Sequence, residues 1–303
     1  MGRLRVSVCA PSAAARTGHG RVWDRGLAEL GPLVRVVSRR PDVWLADGHG
    51  ELPETDRPVV AVVHEAPWED PRTVPHLHPE FVAAMRARLD AVCARAARIV
   101  VPSAAGRAQL HFDAVDVVPY GVDAGVFRPG AARGSHVLFV GTAHPRKNVE
   151  ALREACAALG LELRAVLAPP ADRPDALELY DRAVRAPVVV ADAPVDADLA
   201  REMASAAVFC LPSFFEGFGL PALEAMACAT PVVVGDGGAL PEVVGDAGIV
   251  CAPEPDAIAD GLRRALADPE LGERGRARAL QFPWRRTAEG WLAALRRAVE
   301  SAR

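Results

Sequence analysis

Lysine is nearly missing from this 303-residue chain: of its 35 basic residues, 34 are arginine and one is Lys147. Asparagine occurs once, as Asn148, directly beside it. A composition skewed to Ala, Arg, Val and Pro has replaced almost every generic Lys and Asn, so the surviving pair marks a place where chemistry or geometry resists substitution. No run of 18 apolar residues occurs, so the signal of a membrane-spanning helix is missing. The opening MGRLRVSVCAP enters a strand-like run without an apolar leader, and the expectation is a soluble cytoplasmic protein. Six cysteines, at 9, 93, 156, 210, 228 and 251, form no CxxC pair and join no histidine cluster, which argues against zinc and redox motifs and for buried reduced thiols. Residues 1–118 carry 15 Arg against 14 acids and residues 119–303 carry 20 cations against 25 acids, so neither half offers nucleic acid a positive face.

What is present is a globular composition, 50% apolar and 24% charged, on a chain long enough for two domains. Strand-like and helical runs alternate, which predicts βαβ units and parallel sheets. The first half predicts strands at Leu4–Cys9, Val34–Val37, Val43–Ala46, Val59–Val63, Ile99–Val101 and Val115–Val118, with helices near Val22–Leu30, Pro79–Ala97 and Ser103–Leu110. The turn-rich stretch Pro119–Ser135 is the best domain boundary, dividing residues 1–118 from residues 119–283. Beyond it strands are expected at His136–Val140, Leu163–Leu167, Val188–Val190, Val208–Leu211, Val232–Val234 and Ile249–Cys251. The intervening helices fall near Val149–Leu159, Pro174–Val184, Asp198–Ala206, Pro221–Cys228, Leu240–Val244 and Asp256–Ala267, and a last amphipathic helix covers Trp284–Val299.

Three stretches carry chemistry. In VGTAHPRKN a strand ends, a turn begins at Gly141, and Arg146 and Lys147 precede a helix that Asn148 could cap; two cations there suit a diphosphate. In SFFEGFGLPALEAMACATP, residues 213–231, the loop Glu216-Gly217-Phe218-Gly219-Leu220 leads through Pro221 into a helix bearing Glu224. Amides at a helix start attract an anion, and carboxylates can accept hydrogen bonds from sugar hydroxyls. A loop through Thr17-Gly18-His19-Gly20 follows the first strand but does not match GxGxxG, so a nicotinamide dehydrogenase is the weakest reading.

The stretch FEGFGLPALEAMACATPVV resembles the E-x7-E signature of the retaining GT-B glycosyltransferases of family four. Four further motifs resemble that family in the same order: VVPYGVDAGVFRP, VGTAHPRKN, GALPEVVGDAGIVCAP and FPWRRTAEGWLA. The resemblance covers most of residues 99–303 and thins over residues 1–98, where TGHG and VVHEAPW are the matching points. It implies an α/β GT-B fold, two Rossmann-like parallel-sheet domains facing each other across a cleft, with the helix at 284–303 returning to the first. It further implies that Arg146 and Lys147 bind the donor diphosphate with Gly141 and the amides of Gly217, Phe218, Gly219 and Leu220. Glu224 would hold the ribose, Glu216 the transferred sugar, and His64 would contact that sugar near the reaction centre. Gly18, Gly20 and Ser103 match points facing the same cleft, and Val195 is expected against the base. The donor would be a nucleoside diphosphate sugar, used as substrate, with no cofactor and no metal implied. The acceptor would be a hydroxyl, on a small molecule, glycan or lipid-linked group that the sequence does not identify.

Two departures stand out. The first domain is short for the family, and Tyr120 stands where the interdomain motif has a small polar residue. Rival readings are a GT-B epimerase or phosphorylase and a nucleotide-sugar-binding protein without transferase activity. The stretch Pro79–Ala97 sets Arg86, Arg88, Arg95 and Arg98 near an apolar face of Val82, Met85, Leu89 and Val92. It reads either as a surface for anionic membrane or as a packed helix with a solvated arginine edge, and the second reading is preferred.

Overall fold

The computed structural model describes residues 3–10, 18–168, 175–185, 188–190 and 195–303. Thr17 and Pro174, both named in the motifs and helices expected above, lie outside the described residues. The chain divides into two compact units, one comprising Met1–Glu69, Pro79–Gly121 and Phe282–Arg303, the other Asp70–His78 and Val122–Gln281.

The first unit contains β1 (Arg5–Cys9), α1 (Gly18–Leu30), β2 (Arg35–Val36), β3 (Val43–Asp47), β4 (Val59–Val62), α2 (Pro79–Arg95), β5 (Arg98–Val101), α3 (Ala104–Ala108) and β6 (Val115–Val117). Its six strands are all parallel, in the order β2-β1-β3-β4-β5-β6. All four residues of β4, VVAV, are buried, as a strand covered on both faces requires. The order reverses between β1 and β3, so the loops after these two strands flank a crevice at the carboxyl edge of the sheet.

One detail differs from the sequence expectation here, and one bears it out. Gly18 and Gly20 lie in the first turn of α1 and not in a loop. Amides in that turn have no intrahelical partners to lose, which makes glycine inexpensive there, and Gly20 is buried. Helix α2 buries Val82, Leu89 and Val92, while Arg86, Arg88 and Arg95 donate to the carbonyls of Trp68, His49 and Pro53 at 2.8, 2.6 and 2.8 Å. Its arginine edge therefore ties down loops of its own unit.

The second unit contains β7 (Val137–Thr142), α4 (Val149–Leu159), β8 (Leu163–Ala168), α5 (Ala176–Ala183), β9 (Val188–Val190), α6 (Asp196–Ser205), β10 (Val208–Leu211), α7 (Leu220–Ala227), β11 (Val232–Gly235), α8 (Leu240–Val244), β12 (Ile249–Cys251), α9 (Pro255–Ala267) and α10 (Leu271–Ala279). Its parallel sheet runs β12-β11-β10-β7-β8-β9, the doubly wound order with its switch point between β7 and β10. Helix α10, LGERGRARA, was not expected: two glycines and three arginines hide its period, and Gly272 leaves no room for a Cβ against the Ala229 carbonyl, so the helix packs closely there. The segment Asp70–His78 packs with this unit, placing the His76 ring parallel to Phe214 at 4.6 Å and Arg72 Nη1 2.9 Å from Asp236.

The last helix, α11 (Trp284–Ser301), belongs to the first unit and packs on α1. Trp291 and Trp23, both fully buried, lie 5.3 Å apart between ring centroids. A Cβ at Gly26 would fall 2.5 Å from Trp291 Cη2, so the glycine sets how closely the two helices approach. All six cysteines are free, and burial pushes the Cys156 and Cys228 thiols up to about 12, which leaves them unreactive.

Candidate functional site

The loops after β7 and β10 meet at the switch point of the second unit. After β7 the chain turns through Pro145–Lys147, where His144 Nδ1 accepts from the Arg146 amide at 3.1 Å. Asn148 follows with φ 58° and ψ 35°. Its side chain makes no cap bond to α4, contrary to the sequence expectation; Nδ2 donates instead to the carbonyls of Pro212 at 3.3 Å and Pro253 at 2.7 Å. The physical reason is the left-handed backbone, which asparagine tolerates, and which turns the amide toward the ends of β10 and β12.

After β10 the chain carries Ser213, Phe214, Phe215 and Glu216 against that turn. Lys147 Nζ donates to both Glu216 oxygens, at 2.6 and 2.7 Å, and Ser213 Oγ donates to Oε1 at 2.6 Å. Arg146 Nη1 donates to the Phe215 carbonyl at 3.1 Å and lies 4.0 Å from Glu216 Oε2, while the Phe214 amide donates to the Arg146 carbonyl at 3.0 Å. On the other side the Ala239 amide donates to the Glu216 carbonyl at 2.9 Å, and Gly238, at φ 62°, leaves no room for a Cβ against Glu216. Glu216 is thus fixed by three segments of chain.

From Glu216 the chain passes through buried Gly217 and Phe218 to Gly219, whose φ of 95° directs it into α7 at Leu220. Glu224 lies one turn into α7 and is only 3% exposed. The structure therefore gathers Arg146, Lys147 and Glu216 directly, and carries them through Gly217–Leu220 to Glu224. Gly141 lies inside β7 against the Phe139 ring, and Val195 is 52% exposed at the start of α6. Neither has a contact with Glu216 or Lys147 among those described. Ser213, which the sequence reading left out, is signalled only by its place two residues beyond the end of β10.

In the first unit, His64 follows β4 and is 2% exposed. Its Nδ1 lies 2.6 Å from Tyr120 Oη, its amide donates to His49 Nε2 at 3.1 Å, and its Nε2 has no hydrogen-bond partner. Asp47 Oδ1 is 3.9 Å from Nε2. His19 stacks on the ring at 4.3 Å, His49 lies 5.5 Å away and the edge of Trp23 closes the far side at 5.9 Å. Burial first, then the His19 and His49 rings, hold His64 well below the ordinary imidazole range, and burial with His19 pulls His49 down to about 4. His64 is therefore neutral at neutral pH and its approach to Asp47 is not an ion pair. Gly18 and Gly20 flank His19, whereas Ser103 caps α3, its Oγ accepting from the Gly106 amide at 2.9 Å. His19 was noticed only as part of the TGHG stretch, and His49 and Asp47 escaped sequence notice although they stand at the carboxyl side of β3.

Residues 134–268 match the family model for glycosyl transferases group 1. The chain carries a glycosyl transferases group 1 domain. It is 35% identical over 221 residues to an MMP alpha-(1->4)-mannosyltransferase of Mycolicibacterium hassiacum, covering 68% of this chain and 53% of that protein. It is 40% identical over 162 residues to O-antigen chain mannosyltransferase B of Escherichia coli, covering 49% and 42%. The chain spans about half the length of the curated relatives it matches. Among solved structures, a sucrose-phosphate synthase from Thermosynechococcus elongatus superposes with a TM-score of 0.78 at 19% identity, over 99% of this chain and 100% of that one. An Anabaena protein solved with UDP and glucose superposes at 0.73 and 14% identity, covering 99% of each chain. The fold is GT-B, built from two parallel-sheet α/β units.

Proposed function

We propose that this chain transfers a sugar from a nucleoside diphosphate sugar to an acceptor hydroxyl, with retention of anomeric configuration and without a metal. The observation that carries the reading is the meeting of Arg146 and Lys147 after β7 with Glu216, Gly217–Leu220 and Glu224 after β10, at the switch point of the sheet. Two cations and the start of α7 supply the charge a diphosphate requires. Glu224, on the first turns of α7, accepts the ribose hydroxyls, and Glu216 accepts those of the sugar. The domain's relatives named as mannosyltransferases, and the structural neighbour solved with UDP and glucose, support a nucleotide-linked hexose as the donor class.

In the reaction the bond from the anomeric carbon to phosphate oxygen breaks while the acceptor oxygen bonds to the same face. The acceptor proton passes to the departing phosphate, whose growing charge Arg146 and Lys147 stabilise. In the first unit His64 is the proposed catalytic residue, with Nε2 as the atom left to meet a substrate oxygen.

The test is product analysis with a panel of nucleotide sugars and hydroxyl acceptors, with and without chelator. Lys147→Ala and Glu224→Ala are each expected to lower transfer by about a hundredfold or more. Turnover within a few-fold of the parent in both variants would overturn the assignment. Epimerised free sugar or sugar phosphate as product would establish the rival enzymes, and tight nucleotide binding without transfer the binding protein.

A further inference from the structure

Tyr120 is the feature of this chain that the transfer reaction as described does not use. It is 3% exposed, and a phenol buried that deeply costs free energy unless its hydroxyl is bonded. The hydroxyl reaches His64 Nδ1 at 2.6 Å. The ring is held from behind by α11: Trp284 stacks on it at 6.4 Å and 27°, Gly121 has no room for a Cβ against the Trp284 backbone, and Thr287 Oγ1 donates to the Pro119 carbonyl at 2.8 Å. Tyr120 is thus presented to His64 by a helix from the far end of the chain.

We propose that Tyr120 is a positioning residue: its hydroxyl donates to His64 Nδ1 and so fixes the neutral imidazole as the tautomer carrying its proton on Nε2. A neutral imidazole has one donor and one acceptor nitrogen, and the bond made at one nitrogen decides the role of the other. Burial keeps the Tyr120 phenol protonated, since its pKa stands well above the ordinary value, so it has a proton to give. The second nitrogen, Nε2, is then an N–H that is buried and has no partner, with the Asp47 carboxylate 3.9 Å off, beyond hydrogen-bond reach. Leaving such a donor unmet costs free energy that a substrate oxygen would recover. His64 acts accordingly as a hydrogen-bond donor to a substrate oxygen and not as a base. Asp47 and Tyr120 flank opposite edges of the ring, while His19 and Trp23 hold it in place.

This inference rests on His64 being a substrate-contacting residue, and its test has one arm independent of that role. Nitrogen-15 NMR of the parent is expected to show His64 with a protonated Nε2 and a bare Nδ1; in Tyr120→Phe the two tautomers should mix. Turnover in Tyr120→Phe should fall by about tenfold to a hundredfold, the range for losing the partner behind a functional imidazole, with donor KM nearly unchanged. Because the glutamine amide nitrogen occupies the place of Nε2, Tyr120→Phe should cost much less in a His64→Gln background than in the parent, a non-additivity that simple loss of packing would not produce. A proton on Nδ1 in the parent, or a Tyr120→Phe protein with an unchanged His64 tautomer, would overturn the proposal. If the parent transfers no sugar, the functional reading fails while the NMR arm still decides the positioning. Equal melting temperatures of parent and Tyr120→Phe would show that the turnover arm reports chemistry.

Discussion

Lys147 and Glu216, 69 positions apart, form a two-pronged ion pair with the ammonium 2.6 and 2.7 Å from the two carboxylate oxygens. Their side chains are only 12% and 8% exposed, so breaking the pair by removing one partner leaves a charge poorly solvated. Lys147→Met is expected to lower stability by about 1–3 kcal/mol, and the double variant Lys147→Met, Glu216→Gln to recover most of that loss. Denaturant unfolding of the four proteins in the cycle measures it. Additive losses would show that the two residues do not act as a pair.

Asn148 is expected to tolerate glycine better than alanine. Asn148→Gly keeps the left-handed backbone at φ 58° and loses only the donors to Pro212 and Pro253, costing about 1–2 kcal/mol. Asn148→Ala loses the same donors and adds roughly 1 kcal/mol of backbone strain. Urea midpoints of the two variants settle the order, and an alanine variant as stable as the glycine one would contradict it.

Much of this was legible in the sequence. Val188–Val190, Val208–Leu211 and Ile249–Cys251 fall where their β-branched, apolar runs place them, and the RK pair and the E-x7-E stretch were visible because strand ends are marked by glycine, proline and charge. Partnerships were not legible. Nothing in a linear reading says that Glu216 is held by Lys147 and Ser213, since that depends on β7 and β10 being neighbours while β8 and β9 lie to the other side. The His19, His49 and His64 stack was hidden for the same reason: its rings come from the start of α1 and from the loops after β3 and β4, brought together by strand order. Asn148 was expected to cap a helix because that is its common role at such a position, and the left-handed turn took precedence. Helix α10 was hidden by its glycines and arginines, and Asp70–His78 has no periodicity from which its packing could be read.

The histidine stack makes stability depend on pH. His49 titrates near 4 in the folded protein and His64 also lies well below 6.5, the value of an unfolded chain. Below pH 6.5 the unfolded chain binds protons that the folded one refuses, so the contribution is fully present above pH 6.5 and is lost as pH falls toward 4. Each such proton contributes a slope of up to about 1.4 kcal/mol per pH unit. The urea midpoint should fall across that window, and His49→Gln should flatten the fall between pH 6.5 and 5. An unchanged slope in His49→Gln would assign the loss to other groups.

The return of α11 to the first unit fixes the order in which the molecule can be finished. The ribosome completes residues 122–281, the whole of the longer segment of the second unit, before Trp291 exists. Until then the face of α1 around Trp23 and Gly26 lacks the Trp291 ring that covers it, and Tyr120 lacks the Trp284 ring behind it. The amino-terminal unit, first to emerge, is the last to close, and a nascent chain stalled near residue 281 would carry its apolar α1 face open to chaperones.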